Sequence, residues 1–234
     1  MPGDNMTERI VEFGSKGDPP EPDGRLNSSA FHRNHQPIWT VLAGFLDGRS
    51  GCVLELGSGT GQHVVAFAGR APEVVWWPSD CDQTHVRSIN AWRAHAQLGN
   101  IRQPLRIDVS EPDWGLPRAG APTEFIAILC INVLHISPWR VAQGLLAGAG
   151  RHLRRDGRLF VYGPFMRDGK HTAPSNAAFD QSLQSQDAEW GVRDMGDLGR
   201  LAETAGLTLA EAVSMPANNF VLVFKSRVDR AKAD

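Results

Sequence analysis

Three glycines at alternate positions, Gly57, Gly59 and Gly61, have the spacing that points most directly to chemistry. They follow a mostly apolar run at residues 53–56 and precede a predicted helix. Glycine lets the backbone turn sharply here and touch a ligand, because no side chain stands in the way. The dinucleotide-binding pattern Gly-x-Gly-x-x-Gly would need its third glycine where this chain has Gln62. The spacing therefore indicates a nucleoside-cofactor loop of another kind.

Acidic residues stand at the ends of neighbouring predicted strands. Glu55 lies two residues before Gly57, Asp80 closes the second predicted strand, and Asp108 closes the third. An acid at the position of Asp80 can accept hydrogen bonds from both ribose hydroxyls of a nucleoside. Each acid alone is equally well explained as a helix cap or a solvated loop residue. Together, the three favour a nucleoside cofactor.

Strands and helices alternate along most of the chain, which predicts a parallel sheet with helices on both faces. The predicted strands are residues 52–56, 74–77, 103–107, 125–131 and 157–162, followed by an antiparallel pair at 207–213 and 220–224. The predicted helices are one that begins near Pro37, then 61–70, 82–98, 141–153, 177–185 and 197–205. We therefore expect an α/β fold: a doubly wound, mostly parallel, seven-stranded sheet with a closing antiparallel pair. Ligands bind at the carboxyl edge of such sheets, where the glycine loop would lie.

The composition is that of an ordinary globular protein, with 234 residues, 41% hydrophobic and 21% charged, and a formal net charge of -2. Residues 1–27 are rich in Gly, Pro, Asp and Glu, which predicts a flexible leader before a single domain over 28–234. The start of the chain lacks the apolar core of a signal peptide, and no apolar run approaches the length of a membrane span. We expect a cytoplasmic protein with no membrane partner, and the modest net charge argues against a nucleic-acid partner.

The glycine loop with its preceding acid resembles the first motif of class I S-adenosylmethionine-dependent methyltransferases. From about residue 30 the chain also resembles the methyltransferase-like protein 26 family, whose function is unassigned. The segments that carry this resemblance are Arg33-Asn34, Leu-Glu-Leu-Gly-Ser-Gly-Thr-Gly-Gln-His at 54–63, Pro-Ser-Asp at 78–80, Cys-Ile-Asn-Val-Leu-His-Ile at 130–136, Tyr-Gly-Pro-Phe at 162–165, His-Thr-Ala-Pro-Ser-Asn at 171–176, Phe179-Asp180, Trp-Gly-Val-Arg-Asp at 190–194 and Met-Pro-Ala-Asn-Asn at 215–219.

The resemblance implies S-adenosylmethionine as the cofactor and S-adenosylhomocysteine as its product. It implies that Asp108 accepts a hydrogen bond from the adenine amino group and that the N–H of Val109 meets a ring nitrogen. Glu55 would help to place the ammonium group of the cofactor, through a water molecule. The predicted cofactor-binding set is Glu55, Gly57, Ser58, Gly59, Gly61, His63, Asp80, Asp108, Val109 and Asn132.

The methyl acceptor is expected beyond the fourth and fifth strands, where His135 and Tyr162 are the predicted catalytic residues. The imidazole of His135 could take a proton near neutral pH, although it could equally cap the following helix or pack under the cofactor. Tyr162 and Phe165 could wall the pocket and face the sulfonium, or serve in ordinary packing. Alignment of the nucleophile with the methyl group would be the main contribution of the protein.

Polar residues in three further segments are predicted to bind substrate. Arg33 and Asn34 are expected before the first helix, where a lid would close, and Arg33 could hold a carboxylate or phosphate. The other predicted substrate contacts, besides Phe165, are His171, Ser175, Asn176, Asn218 and Asn219. A solvated arginine and a tight turn are the alternatives for these segments. No metal site is expected, since His32 and His35 have no acid or cysteine beside them.

These observations predict a methyltransferase that acts on an oxygen, nitrogen or sulfur nucleophile of a small molecule. A non-catalytic protein that binds S-adenosylmethionine and serves as a scaffold is one alternative. Methylation of a protein or nucleic acid is another, but the Asn-Pro-Pro-aromatic signature of base methylases is absent after the fourth strand. The acceptor and the oligomeric state are left open.

Overall fold

The computed structural model describes residues 20–227 of the protein. Over these residues the strands are β1 (Gly51–Leu56), β2 (Val74–Asp80), β3 (Leu105–Arg106), β4 (Phe125–Ile131), β5 (Leu153–Arg167), β6 (Lys170–His171), β7 (Arg193–Asp194), β8 (Leu207–Met215) and β9 (Asn219–Ser226). The α-helices of the same residues are α1 (Ser29–Leu46), α2 (Gln62–Ala68), α3 (Gln83–Ala96), α4 (Trp139–His152), α5 (Pro174–Gln186) and α6 (Met195–Thr204).

The main sheet has the strand order β3-β2-β1-β4-β5-β9-β8. The first five of these strands are parallel, whereas β9 runs antiparallel to both β5 and β8. The predicted α/β sheet with its closing antiparallel pair is therefore confirmed. The two short strands β6 and β7 pair with the far end of β5, and they bring the sheet of the described residues to nine strands.

Helices cover both faces of the sheet, and each face has its own apolar core. On one face α1 and α2 pack against the sheet through Leu42 and Phe67, and on the other face α4 and α6 contribute Leu145 and Leu198. All seven residues of β4 are buried, as expected for a central parallel strand with helices on both sides. The uninterrupted apolar runs of the sequence follow directly from this double burial.

The first helix differs from its prediction, since α1 begins at Ser29 and continues through Pro37. Arg33 and Asn34 consequently lie inside the helix, and the prediction that they precede it is wrong. A proline within a helix leaves one carbonyl without its partner and costs about 3 kcal/mol or more. Burial of Asn34, Ile38, Leu42 and Leu46, spaced four residues apart on one face, keeps the segment helical.

Several strands also differ in length from prediction: β2 continues to Asp80, the closing pair covers Leu207–Met215 and Asn219–Ser226, and the largest changes are in β5 and β3. The strand β5 covers Leu153–Arg167 and not only 157–162, whereas β3 is reduced to Leu105–Arg106. The extra residues of β5 project past the main sheet at its carboxyl edge, where Met166 pairs with both His171 and Asp194. This extension places β6, β7 and α5 beside the candidate site.

The predicted leader lies mainly outside the described residues, which begin at Pro20. Its last residues are bonded to the domain. The backbone N–H of Leu26 donates to Ser88 Oγ at 2.9 Å, and Leu26 O accepts from Trp92 Nε1 at 2.8 Å. Within the described part of the chain, no helix combines the length and the apolar character needed to cross a membrane.

Candidate functional site

The glycine loop between β1 and α2 depends on glycine for its backbone conformation and for its packing. Gly57, Gly59 and Gly61 have φ angles of 67°, 56° and 90°, in the left-handed region. A Cβ on Gly57 would lie 2.5 Å from Cγ2 of Val133, and one on Gly61 would lie 2.8 Å from the Cα of Ile89. The loop therefore packs directly against the segment after β4 and against α3.

Asp80 connects the tip of β2 to this loop. Its side chain is buried, and Oδ2 accepts a hydrogen bond from the N–H of Gly59 at 2.8 Å. Its Oδ1 accepts from the N–H of Asp82 at 3.0 Å and lies 3.2 Å from Nδ1 of His85. A carboxylate offers about four acceptor positions, so Asp80 retains capacity for further donors such as ribose hydroxyls.

His85 is a neighbour of this carboxylate that the sequence analysis did not select. Burial of the imidazole favours its neutral form, but the hydrogen bond and the charge of Asp80, with the charge of Asp82, outweigh burial and raise the pKa of His85. The available signal was its position in the first turn of α3, directly after the predicted strand that ends in Asp80. His85 therefore lies in ion-pair and hydrogen-bond contact with the Asp80 carboxylate.

Glu55 is the most deeply buried acid of the candidate cofactor set. It is 1% exposed, and its Oε2 has no hydrogen-bond partner among the described residues. Burial raises the pKa of Glu55 to about 8; the charge of Asp80 adds to this rise, and a hydrogen bond with Ser58 opposes it. Buried polar atoms are normally paired. A cationic donor supplied by a ligand at the end of β1 would satisfy this oxygen.

Asp108 and Val109 lie just past β3, at the same edge of the sheet. Asp108 is exposed, and its Oδ1 accepts hydrogen bonds from the N–H and the Oγ of Ser110 at 2.9 Å and 2.7 Å. Val109 is buried, and its carbonyl accepts from Nε1 of Trp114 at 3.4 Å. The segment is thus fixed by its own side chains, and the other oxygen of Asp108 has no bond within the described residues that would compete with a ligand.

Asn34, His63 and Tyr162 come together from three different elements. Oδ1 of the buried Asn34 on α1 lies 2.8 Å from Nε2 of His63 on α2. Burial lowers the pKa of His63 to about 3, with the charge of His35 adding to the effect, so the imidazole is neutral and Nε2 donates its hydrogen to Asn34. Burial raises the pKa of Tyr162, although a hydrogen bond with Asn34 and the charge of Arg33 oppose the rise. Tyr162 is therefore a protonated phenol at neutral pH.

His135 lies in a one-turn helix, Leu134–Ile136, directly after β4, and is buried. Its ring stands 5.5 Å from the ring of Phe179, and a Cβ on Gly163 would come within 3.3 Å of its Nδ1. Burial, helped by the positive charge of Arg193, lowers the pKa of His135 to about 4. The imidazole is neutral at pH 7. It does not cap α4, whose cap residue is Pro138.

Asn132 marks the turn between β4 and the His135 segment. Its φ angle is 59°, and its N–H donates to the carbonyl of Tyr162 at 2.9 Å. Asn132 is half-buried, and it directly precedes Val133, which packs against Gly57. Asn132 thus connects the tips of β4 and β5, whereas its contact with a cofactor stays a prediction.

The remaining predicted substrate residues differ in the exposure of their side chains and in whether their polar atoms already have partners in the protein. Phe165 is 2% exposed and belongs to the main apolar core, so its evident contribution is to packing. Nε2 of His171 lies 3.4 Å from Oδ2 of the buried Asp180, whereas its Nδ1 has no partner within residues 20–227. Arg33 is exposed on α1. Their substrate contacts stay predictions.

Ser175, Asn176 and Asn218 connect the start of α5 to the turn between β8 and β9. Nδ2 of Asn176 donates to the carbonyl of Asn218 at 2.9 Å, and Nδ2 of Asn218 donates to Oγ of Ser175 at 3.3 Å. Asn219 donates from Nδ2 to the carbonyl of Pro216 at 3.2 Å. These bonds account for much of the polar density of the two segments and hold them at the carboxyl edge.

Two further residues of this region were quoted for the resemblance but not selected as site residues. Phe179 is 41% exposed beside His135, the one large hydrophobic side chain in the described residues with such exposure. Asp180 accepts from the N–H of Val192 at 2.7 Å while it lies beside His171. These two residues could be recognised as site residues only from the packing of α5 on β5–β7. The local sequence does not encode that packing.

A large open groove, of about 690 Å³, lies far from these residues. It is lined by Trp39, Arg49 and Arg70 among others, at the amino-terminal edge where β1 and β2 begin. Strand polarity argues against this groove as the reaction site, because ligands of parallel α/β sheets bind at the carboxyl edge.

The strand order, with the glycine loop at the carboxyl edge of the parallel strands, is that of a Rossmann-like α/β fold. The chain matches the family model described as "Protein of unknown function (DUF938)" over residues 25–226, and it belongs to that family.

Solved structures with the same fold include an O-methyltransferase family protein from Burkholderia thailandensis, with a TM-score of 0.70, 17% identity and 84% of this chain covered. The S-adenosylmethionine-dependent methyltransferase SibL, in its apo form, has a TM-score of 0.65, 21% identity and 82% coverage. The SAH-bound form of CalO1, a methyltransferase in calicheamicin biosynthesis, has a TM-score of 0.62, 18% identity and 82% coverage. The chain covers only 57%, 55% and 56% of these three proteins, in that order. At this identity the likeness shows the fold.

Proposed function

We propose that the protein is an S-adenosylmethionine-dependent methyltransferase that acts on an oxygen, nitrogen or sulfur nucleophile of a small molecule. The observation that carries the proposal is the meeting of a left-handed glycine loop with buried acids at adjoining strand tips, joined by the bond from Gly59 to Asp80. The name of one structural neighbour, a methyltransferase in calicheamicin biosynthesis, favours a small-molecule acceptor. The quoted motifs support the further proposal that the chain is a member of the methyltransferase-like protein 26 family, acting in the cytoplasm.

The chain offers a complementary group for each part of the proposed cofactor. Asp80 would accept hydrogen bonds from the ribose hydroxyls. Asp108 and the N–H of Val109 would form hydrogen bonds with the edge of the adenine ring. Glu55 would pair with the ammonium group. The unpartnered Oε2 of Glu55 fits such a cation, and the glycine loop presents backbone without side chains. When bound, S-adenosylmethionine supplies an electrophilic methyl group on a sulfonium.

The residues on the acceptor side are suited to orienting a nucleophile more than to removing its proton. General bases are most effective when their pKa lies near the working pH, whereas the pKa of His135 is about 4 and that of Tyr162 is raised above its ordinary value. His135 would accept a hydrogen bond from the nucleophile, and Tyr162 would donate one. The exposed ring of Phe179 would form the apolar rim of the same pocket.

Calorimetric titration with S-adenosylmethionine tests the proposal, with Asp80→Asn as the variant and Asp113→Asn as the control. Hydrogen bonds to a charged group contribute about 1.5–3 kcal/mol, so Asp80→Asn is expected to weaken binding roughly 10- to 100-fold. Asp113 is exposed and pairs with Arg118, so its variant should bind like the wild type. Absence of binding at millimolar cofactor, or preferential binding of a dinucleotide, would end the proposal.

A non-catalytic binder of the same cofactor is the second candidate. It is favoured by the pKa values of His135 and Tyr162, because neither group is a neutral-pH base. Incubation with a metabolite extract and methyl-labelled cofactor separates the two candidates. Label transferred by the wild type and lost in Asp80→Asn supports the enzyme, whereas tight binding without transfer supports the binder.

A further inference from the structure

Glu55 is a buried carboxyl group whose charge is favoured by a hydrogen bond with Ser58 but disfavoured by burial and by the charge of Asp80. It lies at the end of β1 between Pro78 of β2 and Leu129 of β4. The titratable groups that interact with it in the described residues are the carboxylate of Asp80, from β2, and the thiol of Cys130, from β4. Asp80 is itself in contact with an imidazole, that of His85, whose Nδ1 lies 3.2 Å from Oδ1 of Asp80.

The unpartnered oxygen determines which form of Glu55 is stable without a ligand. An ionised carboxylate in the interior needs a cation or several donors, but Oε2 has no partner in the described part of the chain. The charge of the adjacent Asp80 makes a second negative charge still less favourable. Burial accordingly places the pKa of Glu55 at about 8, so the group carries a proton at neutral pH.

We propose that Glu55 exchanges its proton for the ammonium group of the bound cofactor, so that binding releases one proton to the solvent. The inference rests on the proposed function, because it takes the ammonium group from that cofactor. The O–H bond of the carboxylic acid breaks, the proton passes to the buffer, and the carboxylate pairs with the ammonium directly or through a water molecule. No electron transfer is involved, and charge is conserved.

This exchange makes the site selective for the amino-acid end of the ligand. A nucleoside without an ammonium group would leave the carboxyl of Glu55 protonated and would bind without proton release. S-adenosylhomocysteine retains the ammonium group but lacks the sulfonium. It therefore tests the ammonium separately from the charge on sulfur.

Titration calorimetry at pH 7.0 in buffers of different ionisation enthalpy measures the released protons as the slope of the observed binding enthalpy. From the pKa of about 8, S-adenosylhomocysteine should release about 0.9 proton. The slope should fall to about 0.5 at pH 8.0 for the same reason. The probe 5′-methylthioadenosine, which has no ammonium group, should give a slope near zero.

Glu55→Gln and Glu124→Gln provide matched variants. Glutamine is the nearest neutral mimic of the protonated acid, so Glu55→Gln should fold, bind more weakly and release no proton. Glu124 is exposed, and its variant should keep the wild-type slope. A slope near zero in the wild type, or an unchanged slope in Glu55→Gln, would overturn the exchange although binding persists. If neither S-adenosylhomocysteine nor 5′-methylthioadenosine binds, the proposed function itself is wrong. The expected decline of the wild-type slope between pH 7.0 and pH 8.0 tests the proton exchange without any variant.

Discussion

Substitution of Gly57 by alanine tests whether the loop after β1 is shaped by its contact with the loop after β4. Gly57 has φ 67°, and an added Cβ would lie 2.5 Å from Cγ2 of Val133. Two separate penalties should therefore act on Gly57→Ala. The first comes from the left-handed backbone, and the second comes from the overlap with one methyl group.

Gly48→Ala isolates the backbone penalty. Gly48 has φ 64°, and nothing lies within 4 Å of its virtual Cβ. A non-glycine residue in the left-handed region costs about 1–2 kcal/mol, which is the full loss expected for Gly48→Ala. Overpacking adds about 1–3 kcal/mol, so Gly57→Ala should lose roughly 2–5 kcal/mol of unfolding free energy in all.

Denaturant unfolding followed by tryptophan fluorescence measures these losses, and Val133→Ala supplies the rescue. This substitution removes both γ-methyl groups, including the clashing Cγ2, and should cancel the steric part of the loss, with a favourable coupling energy of about 1–3 kcal/mol in the double-mutant cycle. The backbone part should remain in the double variant. Equal losses for Gly57→Ala and Gly48→Ala, or a coupling within about 0.5 kcal/mol of zero, would refute the assigned contact.

Two further predictions concern protonation. Because folding raises the pKa of Glu55 from 4.5 to about 8, its contribution to stability is complete below pH 4.5 and declines as pH rises toward 8. Between pH 5 and pH 7 the wild type should lose about 2–3 kcal/mol relative to Glu55→Gln, or roughly 4–12 °C in Tm, and parallel pH profiles would contradict this. Tyr162 is the single tyrosine of the chain, so tyrosinate absorbance reports it alone. Asn34→Ala should raise its pKa further by removing a bond that lowers it, whereas an unchanged titration would disprove the bond.

The elements that the sequence predicted best are those whose signals are local. The strand β4 is recognisable from consecutive residues, because burial on both faces requires an uninterrupted run of apolar side chains. The turn after β1 is recognisable from its glycines, because its backbone is left-handed. The closing pair β8 and β9 was found through apolar segments on either side of Pro216. The sheet could therefore be predicted almost completely.

The elements that were misjudged depend on partners distant in sequence. Pro37 suggested a helix start, but the buried face of α1 against the sheet outweighs its missing hydrogen bond. The extension of β5 is stabilised by β6 and β7, two-residue strands too short to predict. The attachment of Leu26 to Ser88 and Trp92 likewise joins residues more than sixty positions apart.

The candidate residues separate into two groups according to the hydrogen-bonding capacity that the fold leaves to them. Asn176 and Asn218 bond chiefly to each other and to neighbouring segments, so a ligand would have to compete with the protein for their amides. Glu55 retains an unpartnered oxygen and His171 an unpartnered nitrogen within the described residues. Spare capacity of this kind depends on the position of every neighbour, so residue type and spacing do not reveal it. A ligand gains most where it completes a buried group, which makes Glu55 the residue whose behaviour on binding discriminates best between an adenosyl amino acid and other nucleosides.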